Sequence, residues 1–420
     1  MKSKKVIHIF LALVVLVASQ FACQTFAPAS TATQPPQLSP TEPLPFNTDT
    51  PAPQPTPTDS FIDISQFSDE EIKAGIQEAL DAYADAYTNN DPDLLEEFVD
   101  QTNKPFRRIV RSRFNDFQSS FAGGKIVFQY DVVSITRQEY GYVIAHIESP
   151  NLRFVDWVYR FYEDRWVLTE PSVEQVGKPV ITETDHFIFT TYPWSDDVNP
   201  QIMDMMERAY QQVKDVLGKA PEEKAVVKVM PIYGLSPFNA MNAIASYNPT
   251  DNDIEAYAPF SYAYGSYDPA VGWDGELQVT LTHEFTHMTH WQVFGRAGKL
   301  ADWMSEGLAE YVAGETGNKY TACYAFASGT FIPILDESDA VYKQDLMHMY
   351  LLEQDFSLSY DFATSLVDFI VEKHGGLDGF WSLAHALDDT SDFKKAVQKA
   401  FGISYEQFNK EWQAWLKNQC

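Results

Sequence analysis

Two histidines four residues apart, with a glutamate directly after the first, form the one spacing in this chain that dictates a chemistry: His283-Glu284-Phe285-Thr286-His287. On a helix, positions i and i+4 lie one above the other on the same face. His283 and His287 can therefore aim two imidazole nitrogens at one metal ion, as two of the four tetrahedral ligands of a Zn2+, one ion per chain. Glu284, about 100° round the helix from His283, is placed to hydrogen-bond a metal-bound water and take its proton. Leu281, Phe285 and Met288 recur at i, i+4 and i+7 as an apolar stripe away from the histidines. The helix is thus expected to pack on one side and line a cleft on the other.

A third ligand is needed, and the next helical pattern supplies one. Trp303-Met304-Ser305-Glu306-Gly307-Leu308-Ala309-Glu310-Tyr311 follows a link containing Gly295 and Gly298, which reads as a turn between two helices. Met304, Leu308 and Tyr311 form its core stripe. Glu306 and Glu310 stack at i and i+4 on another face, where two unpaired carboxylates would repel. Glu306 as third metal ligand, and Glu310 as acceptor for the free N–H of a ligand histidine, gives each a partner. His290, at i+3 from His287, reads as a surplus histidine at the rim of the cleft.

These residues resemble the gluzincin metallopeptidases, the thermolysin-like and aminopeptidase N-like members of the peptidase MA group. Between His287 and Glu306 lie 18 residues, a spacing that aminopeptidase N-like members share, followed by a Trp-x-x-Glu-Gly sequence matched here by Trp303 to Gly307. Metzincins want Gly at 290 and a third His at 293; this chain has His290 and Val293. The resemblance runs from about Thr184 to Lys417: His186–Tyr192 reads as a strand, Asn199–Leu217 as a helix ended by Gly218 and Lys224–Tyr233 as another strand, the arrangement that precedes the active-site helix in gluzincins. It also implies a catalytic tyrosine at the start of a later helix, which places Tyr360 as a donor to the oxyanion of the transition state. Phe408, Trp412, Trp415 and Leu416 match the Trp-bearing final helix common in the group. The Gly-x-Met-Glu-Asn sequence by which aminopeptidases hold a free N-terminus is absent, so an endopeptidase is expected rather than an aminopeptidase.

The rest of the chain must position or deliver this lobe. With 420 residues, two to three domains are expected. A net charge of −29 argues against nucleic acid as a partner. Residues 1–22 read as a signal peptide, with Lys2, Lys4 and Lys5 before an apolar run too short to span a membrane. Ser19-Gln20-Phe21-Ala22-Cys23 resembles a bacterial lipoprotein cleavage site, with Cys23 as the lipidated residue. Residues 23–60 then form a Pro/Thr-rich spacer without a core. The expectation is export and lipid anchoring at the outer face of the cell membrane, the alternative being secretion. Cys323 and Cys420 remain as a pair in an oxidising compartment, where they are expected to form a disulfide.

Residues 61–178 read as a separate domain. Ser68-Asp69-Glu70-Glu71 caps a helix carrying Ile72, Ile76, Leu80, Tyr83 and Tyr87. A second helical pattern runs from Pro105 to Phe121, and strands follow at Lys125–Arg137, Tyr140–Glu148, Arg153–Tyr162 and Arg165–Glu170. Helices before a meander, with a late Trp166, resemble the nuclear transport factor 2-like cone. Residues 234–276 read as loops with an edge strand near Ile254–Ala258. There Tyr257, Phe260, Tyr262, Tyr264 and Tyr267 could either line a substrate groove or pack beneath the loops.

The fold class expected is α+β: a cone-like N-terminal domain, then over 179–420 a thermolysin-like metallopeptidase domain with a small sheet, an active-site helix pair and a helical C-terminal lobe. The function expected is zinc-dependent hydrolysis of peptide or protein substrates. The competing reading is a catalytically inactive lobe that serves as a binding module.

Overall fold

Ser68 starts the first helix, α1 (Asp69–Asn89), with a reciprocal cap. Its hydroxyl accepts from the Glu71 N–H at 3.2 Å while the Glu71 carboxylate accepts from the Ser68 N–H at 2.7 Å. Such a cap contributes about 1 kcal/mol. The stripe Ile72, Ile76, Leu80, Tyr83 and Tyr87 is buried along its length. In this computed structural model the chain is described over residues 63–120, 129–149, 152–196, 198–232, 244–258, 272–295, 300–315, 317–338, 340, 343–352 and 356–420. The signal-like segment, Cys23 and the spacer lie outside the described residues.

After α1 come α2 (Pro92–Glu97) and α3 (Lys104–Ser120), then β1 (Asp131–Arg137), β2 (Tyr142–Ser149), β3 (Leu152–Tyr162) and β4 (Arg165–Thr169). The four strands form an antiparallel meander in the order β1-β2-β3-β4. Trp166 of β4 presses on α1 at Gly75, where a Cβ would collide with its ring. Trp166 thus belongs to this unit's own hydrophobic cluster, with Trp157, Phe106 and Phe114.

A short helix α4 (Val173–Val176) leads to a second sheet built from β5 (Val180–Glu183), β6 (Phe187–Thr191), β7 (Ala225–Met230), β8 (Ala245–Asn248) and β9 (Asp253–Tyr257). Its order is β5-β6-β7-β9-β8. β6, β7 and β9 run parallel, and the two edge strands are antiparallel to their neighbours. Helix α5 (Asn199–Leu217) crosses between β6 and β7 and stops at Gly218, whose φ of 72° no β-carbon residue adopts readily. The edge strand expected near Ile254–Ala258 is instead an interior strand, β9. The edge is β8, in a stretch expected to be loop: at four residues, Ala-Ser-Tyr-Asn, it is too short and polar to show alternation. Tyr257 is fully buried; Phe260, Tyr262, Tyr264 and Tyr267 fall outside the described residues.

The remainder is helical: α6 (Gly272–Val293), α7 (Asp302–Ala313), α8 (Asn318–Ser328), a 3-10 segment at Leu346–Leu351, α9 (Phe356–Lys373), α10 (Gly376–Thr390), α11 (Phe393–Phe401) and α12 (Tyr405–Leu416). One hydrophobic cluster runs from Phe187 and Phe189 of the sheet through Leu281, Phe285 and Leu308 to Phe408, Trp412 and Leu416. The sheet and the helical lobe therefore share a core. Cys323 of α8 and Cys420 beyond α12 are joined by a disulfide, their Cα atoms 5.7 Å apart. The fold is α+β, with two small sheets and a helical C-terminal region. Among the described residues no helix is long and apolar enough to cross a membrane.

Candidate metal centre

Helix α6 is buried on every side from Thr280 to His290. Helix α5 covers one flank, β8 another, and α7 lies over the ligand face. Phe285 fixes the helix from behind, its ring 5.3 Å from Phe187 and 5.7 Å from Tyr210. Three of the buried threonines cost little, because Thr280, Thr282 and Thr286 donate to the carbonyls of Glu276, Gln278 and Thr282 one turn earlier.

With α6 and α7 so packed, the Nε2 atoms of His283 and His287 come within 3.0 Å of each other. Glu306 Oε2 lies 3.2 Å from the first and 3.4 Å from the second. Ligand atoms held about 2.0–2.1 Å from a zinc ion at tetrahedral angles stand about 3.3–3.4 Å apart. The three atoms thus have the dimensions of one face of a zinc tetrahedron. No other group of three His, Cys, Asp or Glu among the described residues converges in this way. Glu306 is 1% exposed, and its Oε2 has no hydrogen-bond partner among the described residues. An unpartnered buried carboxylate oxygen facing two imidazole nitrogens suits a cation. Burial opposes ionisation of Glu306, but the His287 and His283 imidazoles outweigh it and hold the carboxyl below its ordinary range.

Glu284 is fully buried beside this triangle, and one carboxylate oxygen accepts from the Tyr247 N–H of edge strand β8 at 2.8 Å. Burial raises its proton affinity more than the two histidines and the Tyr247 N–H lower it. A carboxylate with raised basicity next to a cation site is equipped to take a proton from water.

The far nitrogens of the two histidines are also engaged. His283 Nδ1 lies 3.2 Å from Glu310 Oε1, and Glu310 is held on its other oxygen by Asn318 Nδ2 at 3.1 Å. His287 Nδ1 lies 2.9 Å from Ser305 Oγ. The same hydroxyl is 3.0 Å from His290 Nε2. His290, expected as a surplus residue at the rim, is 3% exposed. It lies inside because α7 closes over the helix end that carries it.

Tyr360 does not open its helix as expected. α9 begins at Phe356, so Tyr360 sits one turn inside, 1% exposed, within the large hydrophobic cluster. The tyrosine whose hydroxyl donates to a carboxylate of the triangle is Tyr350, bonded to Glu306 Oε1. It stands on the 3-10 segment, whose six residues carry no periodicity for a sequence reading to use. Asp302 was missed as well. It extends the Glu306–Glu310 row by one turn; although the residue as a whole is exposed, desolvation of its carboxyl and the neighbouring Glu306 push that group up to about 6.

The family model described as the Peptidase MA superfamily matches residues 239–418, a span that holds every residue of the triangle and its surroundings named above except those of α5 and β6. The match supports a peptidase MA-like domain there. No curated protein matches the chain.

Proposed function

We propose that this chain is a zinc-dependent peptidase of the gluzincin type, an endopeptidase that hydrolyses peptide or protein substrates through a polarised water. The observation that carries the reading is the buried triangle of His283 Nε2, His287 Nε2 and Glu306 Oε2, at the spacing of zinc ligands, with Glu284 beside it. Zinc held by His283, His287 and Glu306 would act as a Lewis acid and bring the pKa of water down to about 7.

The chain's own residues do the rest. Glu284 takes the proton from water and, with its raised proton affinity, can hand it on to the leaving amine. The Tyr247 N–H, donating to one oxygen of Glu284, fixes the orientation of its carboxylate. Glu310 and Asn318 keep His283 oriented with Nε2 toward the triangle. Tyr350, at Glu306, and Tyr360, one turn inside α9, are the two candidates for a phenol that donates to the oxyanion. The retained base Glu284 speaks for an enzyme over an inactive binding lobe, which has no need of it. Export with lipidation at Cys23, or secretion, remains our reading of where it acts; the disulfide Cys323–Cys420 supports an oxidising compartment.

The deciding experiment measures zinc content and cleavage of a denatured protein such as casein on one sample. We expect about one zinc per chain and chelator-sensitive cleavage, as for a three-ligand catalytic site. Glu284→Gln should keep the zinc and lose nearly all hydrolysis, whereas Glu306→Ala should lose both. A fully active Glu284→Gln protein would show that water activation belongs elsewhere.

A further inference from the structure

We propose that Ser305 and His290 form a one-directional hydrogen-bond chain that holds His287 in its metal-ligating tautomer. They would be positioning residues for metal retention, outside the ligand set. This rests on the zinc reading above. An imidazole that offers its Nε2 lone pair to a cation must carry its proton on Nδ1. The Nδ1–H of His287 then points at Ser305 Oγ, 2.9 Å away, which must accept. A serine hydroxyl that accepts still has one proton to give. It faces His290 Nε2 at 3.0 Å.

The direction of the chain is forced by a third distance. His287 Nδ1 and His290 Nε2 are themselves only 3.3 Å apart. Were His290 protonated on Nε2, two N–H groups would point at each other across that gap and at the same serine oxygen. With His290 protonated on Nδ1 instead, its Nε2 lone pair receives the serine proton and faces the His287 N–H favourably. Only this arrangement pairs the three facing atoms, His287 Nδ1, Ser305 Oγ and His290 Nε2, donor to acceptor throughout, the condition that buried networks must meet. His290 is 3% exposed, so solvent is poorly placed to substitute.

The chain also couples the two helices. His287 and His290 are on α6, while Ser305 is on α7 immediately before the third ligand, Glu306. A bond from Ser305 to both histidines therefore fixes the register in which α7 delivers Glu306. The two ligand histidines are oriented by different means: His283 by the carboxylate of Glu310, His287 by a neutral serine–histidine pair.

The test is competition for Zn2+ between a chromogenic chelator and the purified full chain. Ser305→Ala should weaken zinc binding about 10–100-fold, the usual cost of losing an outer partner of a ligand histidine. Ser305→Thr, which keeps the hydroxyl, should stay within about threefold of wild type, and His290→Phe should weaken binding in the same direction. 15N NMR of the zinc-loaded wild type should show His290 as the Nδ1–H tautomer, a readout that needs no variant to fold and that mere packing would not set. Wild type that binds zinc while Ser305→Ala stays within about twofold of it, or a His290 Nε2–H tautomer, would overturn the chain and leave the zinc site standing. A wild type that binds zinc no better than His287→Ala would instead remove the zinc reading itself.

Discussion

Two tyrosines compete for one role, and single substitutions separate them. Tyr350 donates to Glu306, whereas Tyr360 lies within the hydrophobic cluster. If the single Tyr350 O–H turns from Glu306 to the oxyanion, Tyr350→Phe should lower kcat by about 10²–10³ with KM little changed. Tyr360→Phe should then stay within about threefold of wild type; the reverse pattern, read from initial rates on one peptide, would return the role to Tyr360. Glu315 offers a second test at this scale. Burial and neighbouring Glu310 push its carboxyl up to about 7 from 4.5. A folded-state pKa above the unfolded one favours the neutral form, so this group's contribution is fully present below about pH 4.5. It is lost as pH rises through about 7. In the metal-free protein, Glu315→Gln should therefore gain on the order of 2–3 kcal/mol over wild type at pH 8. The gap should close toward pH 4.5. Denaturant unfolding at both pH values measures it, and a gap that widens on acidification would refute the assigned shift.

At the scale of elements, the site depends on how closely α7 approaches α9. A Cβ on Gly307 would lie 2.7 Å from the Ala363 carbonyl oxygen and 2.9 Å from Val367 Cγ2. The obstacle is backbone, which yields only if a helix moves. Ala is the better helix former by about 1 kcal/mol, but overpacking of this kind costs about 1–3 kcal/mol. We expect the clash to win. Gly307→Ala should be destabilised by about 1–2 kcal/mol in urea and should bind zinc more weakly, because Glu306 is the adjacent residue. A variant that is more stable and binds zinc normally would show that α7 and α9 can separate freely.

Over the whole molecule, the large core joins the sheet to the last helix, and the Cys323–Cys420 bridge fastens that helix across a separation of 97 residues. Closing a loop of that length contributes about 4–5 kcal/mol in the chain-entropy model. Reduction, or Cys420→Ser, should lower the melting temperature by roughly 10 °C. Two free thiols in the denatured, unreduced protein would dispose of the bridge.

What the sequence determined by itself was whatever local spacing dictates. The i, i+4 placement of His283 and His287, the carboxylates Glu306 and Glu310 one helical turn apart, the Ser68 cap and the Gly218 stop each follow from the periods of a helix and from capping chemistry. The α+β class followed as well, because most elements are long enough to show their period. Beyond the pairings of Glu306 and Glu310 with the α6 histidines and the Cys323–Cys420 bridge, tertiary structure decided the contacts between elements. That α6 would be enclosed, that β8 would be the edge touching Glu284, and that Tyr350 would reach Glu306 depend on packing. His290 illustrates the division. Its place at i+3 from His287 was legible, but its role depends on Ser305, which only the meeting of α6 and α7 brings within 3.0 Å. Spacing fixes which side chains share a helix face, while the partner that completes a buried hydrogen bond comes from another element and leaves no periodic trace in the chain.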